Sequence, residues 1–216
     1  VNYPHMPTGK CATVELFAKL IDFGKKHNIV IVNDNPYSFI LNDNPLSILS
    51  IAGAKDIAIE MNSLSKSHNM AGWRMGMIAS NQQFIEWILK VKSNIDSGQF
   101  KPMMLAAAKA LECDQSWYDE VNNTYKSRRK IAEKIMETIG CHFDPNQRGL
   151  FLWGRIPDNY ESSEQLADKI LYEANVFLTP GFIFGSNGNR YIRISLCATE
   201  EKMHEALCRI KKILNK

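Results

Sequence analysis

The sequence contains no C-x-x-C pair and no His or Cys grouping at metal-ligand spacing. Its five cysteines, Cys11, Cys113, Cys141, Cys197 and Cys208, and its five histidines are dispersed along 216 residues. That excludes a zinc ribbon as the organising feature, and a disulfide framework too, which needs cysteines in pairable numbers. Scattered reduced thiols point to the cytoplasm. No apolar run is long enough to span a bilayer and no signal peptide is read, so no membrane partner is expected. An excess of one charge is also missing: 26 Lys and Arg face 23 Asp and Glu, a net +3 that implies no nucleic-acid partner. The basic runs "KSRRKIAEK" (126–134) and "RIKKILNK" (209–216) have helical spacing and read as solvated helix faces. Repeats and low-complexity segments are absent. What is there, with 45% apolar residues, is an ordinary globular chain able to bury a core.

The apolar pattern alternates between short β-branched runs and helical stretches. Thr13 is expected to cap a helix through "VELFAKLIDFGKKHN", where Leu16, Leu20 and Phe23 recur at helical spacing. "IVIV" (29–32), "DIAIEM" (56–61) and "MGMIAS" (75–80) read as strands, the last followed by the helix "NQQFIEWILKVKSN". Strands separated by helices argue for βαβ units and a mostly parallel sheet, in which ligands sit beyond the carboxyl ends of the strands. Asp34, Tyr37, Ser63, Ser65 and Lys66 all fall just past such ends. Two helices follow, the second long and closed by Gly140. After it come shorter elements: "CHF", "LFLWG", a helix with a Ser162–Gln165 capping box, "VFLTP", "YIRISL" and a last helix from Thr199. The expected organisation is a larger α/β part over 1–110, a linking helix over 111–139 and a smaller α+β domain over 140–216.

The segment "NSLSKSHNMAGWRMG" (62–76) carries the chemistry. A lysine at the end of a buried strand can form a Schiff base once its amine is free, and a neighbouring cation favours the free amine. Arg74 offers a planar guanidinium suited to a phosphate, and Ser63 and Ser65 add hydroxyl donors two residues apart. A lysine, two hydroxyls and an arginine are what a phosphate-bearing aldehyde needs, and pyridoxal phosphate is that cofactor. A solvent-exposed loop would use the same residues for nothing. Two rival motifs are weaker. Ser63-x-x-Lys66 fits the nucleophile pair of penicillin-interacting hydrolases, but the later K-[ST]-G is missing. A P-loop over "PTGKC" fails because Pro4 stands at the first glycine position and Cys11 at the Ser/Thr position.

"SLSKSHNMAGWRMG" resembles the cofactor-lysine signature of the class I/II aminotransferases, pyridoxal-phosphate enzymes of fold type I, whose pattern is S-x-S-K followed by G-W-R-x-G. The resemblance implies Lys66 as the Schiff-base lysine, with Ser63, Ser65 and Arg74 on the phosphate. It maps the aspartate that pairs with the pyridine nitrogen to Asp34 in "VNDNPYS", and the tyrosine on the phenolic oxygen to Tyr37. "RYIRISL" resembles the carboxylate-binding strand, with Arg193 for the substrate carboxylate and Arg190 the weaker candidate. "NYPHMPTG" resembles the family's N-x-P-x-N-P-T-G segment, except that Met6 stands where the family has an asparagine; a thioether is a weak acceptor and donates nothing.

The resemblance covers the family's carboxyl-terminal half only. The chain opens without an initiator Met and reads like the middle of a longer protein, a homodimer when full length. The activity it implies is transfer of an amino group between an L-amino acid and a 2-oxo acid. A carbon–sulfur β-lyase on the same site is the nearest alternative, and a non-catalytic scaffold of the same fold is the alternative of another kind. "SNIDSGQF" (93–100) is similar to the branch with aspartate-like and LL-diaminopimelate aminotransferases.

Overall fold

In the computed structural model, which describes residues 1–214, the Thr13 hydroxyl accepts from the N–H of Leu16 at 3.2 Å and starts helix α1, Val14–His27. The buried stripe of α1 is Phe17, Ile21 and Gly24, one residue along from the spacing read in the sequence, and Phe23 is half exposed. Phe17 and Ile21 pack on Ile31, Ile48, Ala54 and Ala58. The end of α1 also shortens the first strand. Asn28 is left-handed, and the N–H of Ile29 is used to cap the helix on Gly24, so pairing begins only at Ile31.

Strand β1, Ile31–Asp34, runs parallel to β2, Ala58–Ser63, with Ile31 beside Ala58 and Asp34 beside Met61. A single helical turn, α2 (Leu64–Ser67), and a 3-10 turn at Ala71–Trp73 lead to β3, Gly76–Ala79. β3 is antiparallel to β2, Ser63 facing Gly76 and Glu60 facing Ala79. The expected mostly parallel sheet is therefore mixed among the described strands. The link from β2 to β3 has no room for a crossover to the far end of the sheet, so the chain re-enters at the edge it left. Helix α3, Gln82–Ile95, is capped by Asn81, whose side-chain oxygen accepts from Phe84 N–H at 2.9 Å; α4, Lys101–Ala110, and α5, Gln115–Thr138, follow.

The chain forms two compact units. Val1–Pro4 and Cys11–Val121 make one; His5–Lys10 and the chain from Asn122 onward make the other. The division thus falls inside α5, and the segment carrying Met6 groups with the later residues. α5 closes as its sequence requires. Gly140 takes φ +75° and donates its N–H to Glu137 while Cys141 N–H reaches back to Met136, a left-handed helix stop.

The second unit continues through β4 (His142–Phe143), β5 (Phe151–Arg155), α6 (Ser163–Ala174), β6 (Thr179–Pro180), β7 (Tyr191–Ser195) and α7 (Glu200–Leu214). Its sheet order is β4-β5-β7-β6, antiparallel throughout. Leu152, Ile192 and Ile194 are buried, as are Leu166 and Ile170 of α6 and Leu207 and Ile210 of α7. Ser162 caps α6 by accepting from Gln165 N–H, but the Gln165 side chain reaches past Ser162 to the N–H of Glu161, one residue outside the expected box. The basic run at 209–216 lies on α7 as far as Leu214, and its last two residues are outside those described.

Replacing Gly140 with alanine would force a side chain into the left-handed region and set its Cβ 3.3 Å from Pro157 Cγ. Gly140→Ala is expected to lower unfolding free energy by about 1–2 kcal/mol, and Gly140→Asn by less, read from urea midpoints at constant slope.

Candidate active site

Four segments meet at the carboxyl edge of the three-stranded sheet in the first unit. Asp34 closes β1 and Ser63 closes β2, its immediate neighbour. Gly76 opens β3 opposite Ser63, so Arg74 lies two residues before that same edge. Lys66 rides on α2, directly after β2. Five of the six residues expected at the cofactor are thereby gathered at one end of one sheet. Tyr37 follows in the turn after Asp34.

Local hydrogen bonds hold these segments in place. Ser63 Oγ accepts from Ser65 N–H at 3.1 Å and caps the turn; the two serine hydroxyls lie 2.9 Å apart. Leu64 N–H donates to Met75 carbonyl at 3.2 Å, closing the loop at both ends. Arg74 is left-handed at φ +54°, a conformation that costs a non-glycine residue about 1–2 kcal/mol and that collects at functional sites. Asp34 is fixed through its backbone: its N–H donates to Val1 carbonyl at 3.0 Å, and Asn2 Nδ2 donates to its carbonyl at 2.8 Å. Its carboxylate stays at the exposed face of the strand.

Sequence reasoning missed His68. It is 7% exposed, with Nδ1 2.9 Å from the Ser67 hydroxyl and Nε2 3.2 Å from the Tyr118 hydroxyl. Burial pushes its pKa below 6.5, opposed in part by a bond to the Ala110 backbone. Burial likewise raises Tyr118, helped by Cys113. The one hint in the sequence was a histidine two residues after the lysine.

A cavity of about 820 Å³ lies on the face of this sheet that carries Glu60, between the strands and α4. Phe39, Leu46, Met75, Met104 and Leu111 form its apolar walls, and Ser63 is the one expected site residue that lines it. Its polar wall is the Glu60 carboxylate, which accepts from Asn35 at 3.0 Å, Asn33 at 3.4 Å and the Ser47 hydroxyl.

Arg193 belongs to the second unit, at the centre of β7 and on the face opposite Ile192 and Ile194. Its guanidinium carbon stands 4.1 Å from the centre of the Phe151 ring and 4.6 Å from that of Phe184. Its Nη1 points to Met6 Sδ at 3.4 Å. Met6 is brought there by Gly9, whose carbonyl accepts from Arg148 N–H at 2.7 Å; a Cβ on Gly9 would meet Arg148 oxygen at 2.8 Å. Arg190, the weaker candidate, is engaged elsewhere, with the carbonyls of Tyr160 and Pro157 and with Asp158.

A family model for "Aminotransferase class I and II" matches residues 1–210. Among similar proteins, an LL-diaminopimelate aminotransferase of Aquifex aeolicus (strain VF5) is 40% identical over 99% of this chain and 55% of its own. A second, LL-diaminopimelate aminotransferase 2 of Trichormus variabilis, is 40% identical over 98% and 54%. Among solved structures, substrate-bound BacF from Bacillus subtilis superposes with a TM-score of 0.90 at 34% identity, over 99% of this chain and 55% of that one. An aromatic aminotransferase from Pyrococcus horikoshii OT3 gives 0.89 at 32% identity, over 99% and 58%. The chain spans about half the length of the curated relatives it matches.

His68 makes stability depend on pH in a definite direction. Its folded pKa lies below the 6.5 of the unfolded chain, so the unfolded state takes up the proton first as pH falls. The stabilisation is complete above about 6.5 and declines below it until the folded pKa is passed. His68→Phe is expected to flatten that part of the profile, read as urea midpoints between about pH 7.5 and pH 5.

Proposed function

We propose, since this chain belongs to the class I and II aminotransferase family, that the protein it forms part of moves an amino group between an L-amino acid and a 2-oxo acid with pyridoxal phosphate. The observation that carries this reading is the gathering of Asp34, Ser63, Ser65, Lys66 and Arg74 at one sheet edge. The donor set fits the cofactor: two adjacent hydroxyls and a guanidinium for a phosphate, a carboxylate for a ring N–H, an amine for an aldehyde. The activity is proposed for this chain together with the part of the relatives' length that it does not span.

When bound, the cofactor supplies an electron sink for the pair left on the substrate Cα. Asp34 would accept the pyridine N–H and keep that nitrogen protonated, and Tyr37 would donate its hydroxyl to the phenolic oxygen. Ser63, Ser65 and Arg74 would hold the phosphate. Lys66 Nζ would hold the cofactor until the donor's amine displaces it and, so freed, would take the Cα proton and deliver it to the carbon of the former aldehyde as general base and acid. Arg193, whose guanidinium carbon lies over the Phe151 and Phe184 rings, would grip the α-carboxylate of donor and acceptor alike. The names of the relatives make LL-diaminopimelate the first donor to test. Five free cysteines support a reducing, cytoplasmic setting. We further propose a homodimer.

Borohydride reduction of the full-length protein with pyridoxal phosphate is expected to fix one adduct, on Lys66, located by peptide mass. Labelling spread over surface lysines would overturn the assignment. Amino transfer should stop without an oxo-acid acceptor, whereas turnover that continues without one would mean β-elimination. Arg193→Lys replaces a two-pronged grip by a point charge; a loss of about 1.5–3 kcal/mol, or roughly ten- to a hundredfold in KM for the donor, is expected from initial rates.

A further inference from the structure

Lys66 sits on a helix that cannot hold itself. α2 is four residues long, and a single turn fixes several dihedrals in return for one backbone bond, here His68 N–H to Leu64 carbonyl at 3.2 Å. Its orientation is set by what grips its two ends. The start is gripped by β2 and β3 through Ser63 and Met75. The far end is gripped by α5. Trp117 Nε1 donates to the carbonyl of Ser67, the residue after Lys66, at 2.9 Å. The Trp117 ring stacks on His68 with centroids 6.5 Å apart and planes 16° from parallel. Tyr118 meets His68 edge-on, ring centres 5.6 Å apart, with its hydroxyl at Nε2.

The same Tyr118 ring lies 5.6 Å from Phe39, two residues beyond Tyr37. One side chain thus touches both the segment after the lysine and the segment after Asp34. Ser67 and His68 are buried, so a lost partner there cannot be replaced freely by water. A displacement of an ångström at a reacting group is enough to slow chemistry by about a hundredfold.

We propose that His68 and Tyr118 are positioning residues for Lys66, a strut between the first turns of α5 and the turn that bears the lysine. This rests on the cofactor reading above. The strut has three parts that can be separated. His68→Phe keeps ring area and removes both nitrogens. His68→Gln keeps a polar group within reach of Tyr118 in place of Nε2. Tyr118→Phe removes one hydroxyl and nothing else.

The test is the rate at which borohydride-fixed pyridoxal phosphate appears on Lys66 in the full-length protein, followed by peptide mass, beside the cofactor's absorbance spectrum and the melting temperature of the cofactor-free form. Expected are labelling about tenfold slower in Tyr118→Phe and in His68→Phe, with recovery of most of the rate in His68→Gln, because only the first two lose the contact. A rate that follows melting temperature alone across the three variants, with no rescue by glutamine, would overturn the positioning role. So would an unchanged rate in both phenylalanine variants. No Lys66 adduct in the unaltered protein would instead overturn the cofactor reading, and this proposal with it.

Discussion

The pairing of Ser63 with Gly76 is the contact on which the candidate site depends. It turns the end of β2 and the start of β3 into the two jaws of one loop, with Leu64 N–H bonded to Met75 carbonyl just inside. Everything between them, from Ser65 to Arg74, must then return to the edge it left. Had β3 run parallel to β2, the chain would have been carried to the other end of the sheet, and Arg74 would be a sheet length away from Ser63. The antiparallel return is what lets a lysine, two hydroxyls and a guanidinium share one place while lying within twelve residues of sequence. The left-handed backbone at Asn69 and Arg74 is a consequence of making that return so short.

The two faces of the same sheet are used differently. Ile31 and Ala58 lie on the face closed by α1, and Glu60 continues it with its carboxylate occupied by Asn33, Asn35 and Ser47. A buried carboxylate costs free energy unless its oxygens are filled, and here amide and hydroxyl donors fill them. That network is structural chemistry of the wall, even though it borders the cavity of about 820 Å³. Asp34 occupies the opposite face by strict alternation, one residue beyond Asn33. A single step in register separates a carboxylate held by the fold from one left open at the strand end.

Much of this was legible in the sequence because it is local. Caps at Thr13 and Ser162 and the stop at Gly140 depend on residues a few positions apart, and each is found. The candidate site residues came from a resemblance in which order and spacing are the signal; periodicity alone reads Asp34 as a turn and Tyr37 as a packing ring. Three features were not legible. The buried stripe of α1 slipped by one residue because Leu, Phe and Ile crowd both candidate faces, and only Ile31 and Ala58 decide between them. β1 started late because the cap of α1 consumed Ile29. His68 was overlooked because its partners, Trp117 and Tyr118, lie fifty residues away, and no local pattern links them.

Met6 shows how a departure from a pattern acquires physical content once its neighbours are known. An amide at that position could accept from an arginine and donate elsewhere; a thioether accepts weakly and donates nothing. Its contact with Arg193 Nη1 is therefore soft, while the guanidinium carbon also lies over the Phe151 and Phe184 rings, 4.1 Å and 4.6 Å from their centres. A guanidinium over an aromatic ring is attracted through its charge and its flat face, an attraction that does not depend on its N–H groups. Arg193 in this protein is accordingly placed beside two aromatic rings and a thioether, where an amide at position 6 would have offered it a stronger acceptor.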